Sequence, residues 1–210
     1  SLKKPHLILV WAGILLTTFS IISLIISSSK SFWRDEAFSA ITSARSTKEV
    51  IAISARDVSP PLYYLGLHFW QQIFGSSEIV LRTTSLIFSL ITIGSIYEAL
   101  IVSYVDFGSA TTRKRYHLPP LVLLMMAITF NVVMMYFSVE LRNYTLLMLT
   151  ILWSYIASYK LIFGSGKRWF FLLMAANLVQ LYVHSLSIIW LVAQNATVLL
   201  WALYYKRFRQ

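Results

Sequence analysis

The stretch that decides the fold is residues 7–26, which reads LILVWAGILLTTFSIISLII. As a helix these 20 residues would be about 30 Å long, which matches the hydrocarbon core of a bilayer. Lys3 and Lys4 precede the run. The run is too long for a signal-peptide core, and no clear small-residue cleavage site follows it. It is therefore predicted to be the first membrane helix, with a cytoplasmic N-terminus.

The composition extends this interpretation to the whole chain. Of the 210 residues, 58% are hydrophobic and 12% are charged, and the mean hydropathy is +0.69. A soluble domain averages about 25% charged residues, so this chain has roughly half the expected ionic surface. The apolar runs are continuous and do not alternate with polar residues, which disfavours a membrane barrel. We therefore predict an all-α, polytopic transmembrane helical bundle, with residues 1–210 as a single module.

The net charge of +10 comes from 18 Lys and Arg against 8 Asp and Glu. In a membrane protein this excess is explained by basic cytoplasmic loops and attraction to anionic lipid headgroups. No nucleic-acid partner is expected, since the aromatic content of 15% fits membrane belts better than a base-stacking platform. The absence of cysteine excludes disulfides, thiolate catalysis and cysteine metal sites.

The apolar runs predict about six spans, over residues 7–26, 78–105, 119–137, 145–163, 169–182 and 186–205. The positive-inside rule tests this layout. With the N-terminus inside, four basic clusters fall on the cytoplasmic side: Lys3 and Lys4, Arg113 to Arg115, Lys167 and Arg168, and Lys206 to Arg209. The turn around Glu140 and a long polar stretch, residues 27–82, then fall outside.

The polar stretch, residues 27–82, is predicted to be a large outer loop of short interfacial helices. Ser46 and Glu49 have capping-box spacing. Pro60 and Pro61 suit a helix start, because proline is tolerated in the first turn. The helix that follows, Leu62 to Phe74, is aromatic and too short to span, which favours a position along the membrane surface.

The most informative polar segment is Trp33-Arg34-Asp35-Glu36-Ala37, just after the first span. A carboxylate here can accept a proton or bind a metal, and Arg34 can pair with phosphate. The alternative is an ordinary interfacial helix start, where acidic residues suit the helix dipole.

Four further segments carry charged or titratable residues at the predicted outer side of the membrane. Ionisable residues at a membrane edge are costly in free energy, so each is first considered as a functional residue. Each segment also has a simpler explanation. Asp57 can be an ordinary acidic residue at a helix N-terminus, and the arginines can extend their side chains to the membrane–water interface. A lone histidine is more often a hydrogen-bonded interfacial residue than a metal ligand. The segments are centred on Asp57, on Arg82, on Glu140 with Arg142 and Tyr144, and on His184.

The order of these motifs resembles the N-terminal module of GT-C-fold glycosyltransferases. The likeness is closest to glycosyltransferase family 39, with protein O-mannosyltransferases and the lipid A aminoarabinose transferase as relatives. It covers nearly the whole chain. The motifs are Trp33-Arg34-Asp35-Glu36-Ala37, Asp57-Val58-Ser59-Pro60-Pro61-Leu62-Tyr63-Tyr64, Trp70, Phe74-Gly75-Ser76-Ser77-Glu78, Arg82-Thr83-Thr84-Ser85-Leu86-Ile87-Phe88, Glu140-Leu141-Arg142-Asn143-Tyr144 and Tyr182-Val183-His184.

The resemblance implies an integral membrane glycosyltransferase that uses a polyprenyl-phosphate-linked sugar as donor. The acceptor would be a hydroxyl or amine on a lipid, glycan or protein. The expected location is a bacterial plasma membrane, with a cytoplasmic N-terminus and the active site on the outer face.

The resemblance also implies residue roles. Asp35 would be the general base that deprotonates the acceptor and inverts the anomeric centre, with Glu36 and Asp57 as further acidic residues of the catalytic site. The donor phosphate would be held by arginines, which stay charged and bind phosphate bidentately. These are Arg142, Arg34 and Arg82. The remaining site-lining residues would be His184, Tyr144 and Glu140.

A divalent metal is a possible cofactor on this interpretation, with Asp57 and His184 as candidate ligands. The chain departs from the family in two ways. It has Ser59 where many relatives have histidine, and it has about half of their usual number of spans. We therefore expect a fragment of a longer chain. The alternatives are a non-catalytic membrane subunit or lipid-binding module of the same fold and, less favoured, a transporter, which would show inverted repeats and charges at mid-membrane.

Overall fold

A computed structural model describes residues 3–56, 59–110, 118–163 and 166–208 of the chain. In these ranges the regular structure is helical, as predicted. The helices are α1 (Lys3–Ser28), α2 (Arg34–Ser43), α3 (Thr47–Ser54), α4 (Leu62–Phe74), α5 (Glu78–Ala110), α6 (Leu118–Thr129), α7 (Val132–Ser138), α8 (Tyr144–Phe163), α9 (Lys167–Val183) and α10 (Ser187–Phe208).

Three helices are long and apolar enough to cross a membrane: His6–Ser28 in α1, Glu78–Tyr104 in α5, and Tyr144–Phe163 in α8. A fourth span is formed if α6 and α7 are counted together, since they meet at a 45° bend. α9 has 17 residues. In α10 the apolar segment that can be assessed covers Ser187–Trp201. Both are shorter than the 20 or so residues of a typical span. The described residues therefore support three or four spans, and six remains a prediction.

The bend between α6 and α7 divides a run that the sequence predicts to be one continuous helix. Asn131 has extended backbone angles, and its side chain accepts a hydrogen bond from the N–H of Val133 at 2.9 Å. Asparagine is a strong N-cap residue because its side-chain oxygen satisfies an N–H that the helix leaves unpaired. A new helix therefore starts at Val132 within an otherwise apolar segment.

The predicted outer loop contains three short helices, α2, α3 and α4. α3 begins with the predicted capping box, in which the Glu49 carboxylate accepts from the Ser46 N–H at 3.0 Å. α4 has the predicted bounds and ends at Gly75, whose φ of 97° lies in the region that favours glycine. These helices are thus as expected, and their position at a membrane surface stays a prediction.

The chain divides into two compact units, of which the first comprises Ser1–Ala37 and Ser76–Thr145. Its core lies where α1 packs against α5 and α6. Phe19 of α1 is fully buried in this core. Two polar contacts join helices of this unit: the hydroxyls of Ser23 on α1 and Ser138 on α7 lie 3.0 Å apart, and Tyr97 on α5 hydrogen-bonds Thr129 on α6.

The second unit comprises Phe38–Gly75 and Leu146–Gln210. In it α4 packs against α3 and α9, and α9 packs against α10. Gln194 of α10 is buried and donates to the Ser158 hydroxyl at 2.7 Å and to the Ser154 carbonyl at 2.9 Å, both on α8. Such side-chain hydrogen bonds between apolar helices hold membrane bundles together, because lipid offers no competing partner.

The first unit's core yields a stability prediction. Phe19→Ala leaves a cavity among α1, α5 and α6, and we expect a loss of about 3–5 kcal/mol in the free energy of unfolding. Thermal unfolding in detergent micelles would measure it. Ile21→Ala is the matched control, since Ile21 lies two residues further on the same helix and is 53% exposed. An equal loss in both variants would contradict the assigned core.

Candidate functional site

The candidate site is a cavity of about 230 Å³ in the first unit. It lies between the start of α2 and the segment that runs from α7 through residues 139–143 into α8. Its walls combine aromatic rings with three charged side chains. The lining residues are Trp33, Asp35, Tyr136, Phe137, Glu140, Arg142 and Tyr144.

The two accessible charges in the cavity are Asp35 and Arg142. Nη1 of Arg142 lies 3.5 Å from Oδ2 of Asp35, and the two side chains are 19% and 41% exposed, respectively. The guanidinium also stacks on the ring of Tyr144, 5.5 Å from its centroid. Because this ion pair is open to solvent, its net stabilisation is small, about 0–1 kcal/mol. A ligand with stronger acceptor oxygens can therefore compete for Arg142.

Glu140 is also in the cavity wall, but its carboxylate is engaged by other residues of the chain. Lys30 donates to Oε1 at 2.6 Å, and the indole N–H of Trp33 donates to Oε2. The side chain is only about 5% exposed. Glu140 thus orients Trp33 and is already neutralised by Lys30.

A second ion pair, between Glu36 and Arg82, adjoins the cavity and is fully buried. Nε of Arg82 donates to Oε1 of Glu36 at 2.9 Å, and Nη2 donates to Oε2 at 2.7 Å. Both side chains have no exposed surface. Neither Arg82 nor Glu36 therefore lines the cavity, and the phosphate-binding and catalytic roles expected of them stay predictions.

The environment of Glu36 stabilises its ionised form. Burial alone raises the pKa of this carboxyl, but hydrogen bonds from Arg82 and from the backbone N–H of Leu141, together with the charge of Arg82, outweigh burial. The net pKa lies below the ordinary value of 4.5. Glu36 is therefore a fixed anion at neutral pH, as a buried partner of arginine must be.

The other sequence-predicted residues lie elsewhere. Arg34 is exposed at the first position of α2 and is not part of the cavity wall. His184 belongs to the second unit, where it follows α9 and its Nδ1 accepts from the N–H of Leu186 at 3.1 Å. Asp57 lies outside the described residues. The structure thus brings together Asp35, Glu140, Arg142 and Tyr144.

Three cavity residues were not predicted as site residues, and one further residue supports the cavity. Trp33 had a signal, since it begins the motif that carries Asp35. Tyr136 and Phe137 precede the Glu140 turn with no feature that separates them from other aromatic residues in apolar helices. Lys30, the partner of Glu140, lies in a serine-rich linker and is 110 residues away in sequence.

The described residues contain no group of three histidine or acidic side chains close enough to hold a metal ion. Within the cavity, the carboxylate of Glu140 is taken by Lys30 and Trp33, which leaves Asp35 as the accessible acid. Asp57, one of the two candidate metal ligands, lies outside the described residues, so a metal site stays a prediction. What the cavity offers is a carboxylate that can accept a proton and a guanidinium that can bind an anion, between aromatic walls.

The buried pair yields a pH prediction. Because the pKa of Glu36 is lowered on folding, its contribution to stability is present above about pH 4.5 and is lost as the pH falls through the folded-state pKa. At pH 7 we expect Glu36→Gln to unfold at a lower temperature than the parent chain, with a loss of up to about 3–5 kcal/mol, since the buried Arg82 loses its buried carboxylate and keeps the half-exposed Glu78, 3.5 Å from its Nη1, as a charged partner.

The gap between parent and Glu36→Gln should narrow below about pH 4 in thermal unfolding experiments. Glu98→Gln is the control, because Glu98 is exposed on α5 and its removal should change little at either pH. A gap that stays constant from pH 7 down to about pH 3 would contradict the assignment of Glu36 as a stabilising anion.

Comparison of the chain with protein-family models, with curated proteins and with solved structures gave no match. The likeness to GT-C glycosyltransferases therefore rests on the sequence motifs themselves.

Proposed function

We propose that the chain is the N-terminal module of an integral membrane glycosyltransferase that moves a sugar from a polyprenyl-phosphate donor to a hydroxyl or amine acceptor. One observation carries the proposal. The Asp35 carboxylate and the Arg142 guanidinium, which the motifs name as base and phosphate ligand, lie 3.5 Å apart in one cavity. These residues are 107 positions apart in sequence, so adjacency along the chain does not explain the pairing.

Asp35 is the proposed general base. Its carboxylate accepts the proton of the acceptor hydroxyl or amine while that oxygen or nitrogen forms a bond to the anomeric carbon. The bond from the anomeric carbon to the phosphate oxygen breaks, and polyprenyl phosphate leaves with the electron pair. Attack occurs from the face opposite the leaving group, so the anomeric centre is inverted.

Arg142 is the proposed ligand of the donor phosphate. A guanidinium makes two parallel hydrogen bonds to phosphate oxygens and stabilises the negative charge that develops on the leaving group. When phosphate binds, Arg142 exchanges its partner Asp35 for the phosphate. This exchange would remove the guanidinium from the Asp35 carboxylate and so favour its role as a base toward the acceptor. Arg34, exposed one residue before Asp35, is a secondary candidate for the same phosphate.

The aromatic residues of the cavity suit a sugar ring. Trp33 and Tyr136 are half exposed, and Phe137 packs on Tyr144 with ring centroids 4.8 Å apart. Binding pockets are typically lined by such rings with a few polar groups that fix orientation. The cavity volume of about 230 Å³ is at the small end of ligand sites, as suits one monosaccharide with its tail outside.

The proposed membrane arrangement has six spans, a cytoplasmic N-terminus and the cavity on the outer face of a bacterial plasma membrane. Three or four helices qualify as spans by length and composition, and the basic clusters of the sequence favour this orientation. α4 would lie along the outer surface, where Phe69, Ile73 and Phe74 expose an apolar face to lipid. A lipid-borne donor would reach the cavity from that surface, whereas the acceptor would be a lipid, a glycan or a protein.

A non-catalytic subunit or lipid-binding module of the same fold is the alternative. It would keep the helices and lack turnover. The activity test separates the two, because a binding module would retain the labelled donor without transferring its sugar.

The central test replaces the proposed base. We expect Asp35→Asn to abolish transfer, a loss of at least about a hundred-fold, because the amide cannot accept the proton. Membranes that contain the full-length protein would be incubated with radiolabelled polyprenyl-phosphate sugars, and label would be counted in lipid, glycan and protein fractions. Glu98→Gln, an exposed acid-to-amide change, should transfer at the parent rate. Full activity of Asp35→Asn would refute the assignment.

The phosphate ligand is tested in the same assay. Arg142→Gln should lower the rate at least about ten-fold, and Arg142→Lys should recover only part of it, since lysine binds phosphate through one nitrogen. Arg45→Gln is the matched control, because Arg45 is exposed in the second unit. Equal rates for Arg142→Gln and Arg45→Gln would argue against a phosphate site at Arg142.

The orientation is testable because the chain has no cysteine of its own. Ser31 and Lys167 are exposed at opposite ends of the proposed topology. In intact cells a membrane-impermeant maleimide should label Ser31→Cys, whereas Lys167→Cys should react only after the membrane is permeabilised. The reverse pattern would invert the topology and place the cavity on the cytoplasmic side.

A further inference from the structure

The buried pair of Glu36 and Arg82 connects the end of α1, the linker to α2 and the start of α5 with the turn that follows α7. An ion pair with no exposed surface is a poor source of stability, because desolvation of two charges offsets most of their attraction. Apolar residues of similar volume often replace such a pair without loss. The partners that the pair holds are therefore more informative than its energy.

Arg82 ties the beginning of α5 to the end of α1. Its Nη1 donates to the carbonyl oxygens of Ser27 at 2.9 Å and of Lys30 at 2.7 Å. Ser27 is in the last turn of α1, and Lys30 is in the linker that leads to α2. The guanidinium also lies over the ring of Phe32, 4.9 Å from its centroid. One side chain thus fixes the backbone of the linker that delivers the start of α2.

Glu36 ties α2 to the turn between α7 and α8. Its Oε1, besides accepting from Arg82, accepts from the backbone N–H of Leu141 at 2.8 Å. Its Oε2 accepts from the backbone N–H of Trp33 at 3.3 Å. α5 contributes a second tie to the same turn, since the Ser85 hydroxyl donates to the carbonyl of Glu140 at 2.6 Å.

The two exposed charges of the site are the sequence neighbours of these anchored positions. Asp35 precedes Glu36, and Arg142 follows Leu141. We infer that the Glu36–Arg82 pair is a positioning clamp, which sets the separation of Asp35 and Arg142 by fixing the backbone one residue away from each. Glu36 and Arg82 are positioning residues: they act on the reaction through Asp35 and Arg142.

A positioning clamp requires Glu36 to bind two segments at once, whereas a role in stability alone does not. Glu36 must offer Oε1 to a side-chain donor and to the Leu141 N–H at the same time, which a carboxylate can do and an apolar side chain cannot. Replacement of both charges by apolar residues can therefore restore stability without restoring the tie to residues 139–142. That difference separates a positioning role from a purely structural one.

The first test measures position without activity. The variant Asp35→Cys/Arg142→Cys, in a chain that has no other cysteine, would be treated with a short bifunctional thiosulfonate reagent in micelles. Because the Asp35–Arg142 attraction is itself removed, the cross-linking rate reports how the backbone is held. Addition of Glu36→Leu and Arg82→Met should slow the cross-link by about ten-fold, since effective concentration falls when the turn is untethered.

A control pair checks that the unit itself remains folded. The hydroxyls of Ser23 on α1 and Ser138 on α7 lie 3.0 Å apart. In the variant Ser23→Cys/Ser138→Cys, the rate of disulfide formation should be unchanged when Glu36→Leu/Arg82→Met is added. If that double substitution prevents folding, Arg82→Lys replaces it, because lysine keeps the charge but has three donors on one nitrogen for the four acceptor atoms that Arg82 binds. A cross-linking rate equal to that of the intact clamp, in either background, would overturn the inference.

The second test measures turnover and rests on the proposed function. Glu36→Leu/Arg82→Met, with Asp35 and Arg142 intact, should lower kcat by about a hundred-fold, as misplacement of a reacting group by 1 Å does. KM for the donor should change much less, because Arg142 is still present. Recovery of stability together with full kcat would show that the pair is structural alone.

The two failures are distinguishable. If the chain is not a transferase, the parent shows no transfer to compare with Asp35→Asn, while the cross-linking result stands by itself. If the clamp is absent, cross-linking is unchanged in a protein that Asp35→Asn still inactivates.

Discussion

A single buried ion pair is the constraint on which the first unit depends. Glu36 and Arg82 are both without exposed surface, so neither charge is solvated by water and each must be satisfied by the chain. Besides each other, their partners are backbone groups at the end of α1, in the α1–α2 linker and in the turn after α7, and the Glu78 carboxylate, 3.5 Å from Nη1 of Arg82. The geometry of the cavity follows from this requirement, because the same backbone carries Asp35 and Arg142.

Charged residues that are close in sequence differ in burial and in partners at the cavity. Asp35 and Glu36 are adjacent, but one faces the cavity and the other is a buried anchor. Glu140 and Arg142 are separated by one residue and also differ, since Glu140 is paired with Lys30 while Arg142 remains partly exposed. Charges held in place by hydrogen bonds need little reorganisation when a ligand binds, which is the condition for electrostatic catalysis.

Much of the fold could be predicted from the sequence. The all-helical class, the bounds of α4 and the capping box of α3 follow from apolar runs and cap residues, and the structure confirms them. The break at Asn131 could not be foreseen, because one polar residue in an apolar run can cap a new helix or face a neighbouring helix. The number of spans also exceeded what the described helices support, since apolar content alone does not fix helix length.

The candidate site was predicted less completely than the fold. The sequence motifs nominated nine site residues, and the structure places four of them, Asp35, Glu140, Arg142 and Tyr144, around one cavity. The sequence could not tell which of two neighbouring acids is buried, or that Arg82 is the buried partner. That assignment depends on contacts between segments 46 and 105 residues apart, which no local pattern contains.

The order of the buried partners along the chain bears on biosynthesis. Glu36 is made 46 residues before Arg82, and Leu141 follows later still. An arginine at a membrane edge is costly when it has no counter-charge. Two counter-charges are therefore made before Arg82: Glu36, at the start of α2, and Glu78, four residues earlier on α5 itself. The end of α1 and the start of α2 are thus made before α5, which contacts them through Arg82. The turn that carries Arg142 is completed last.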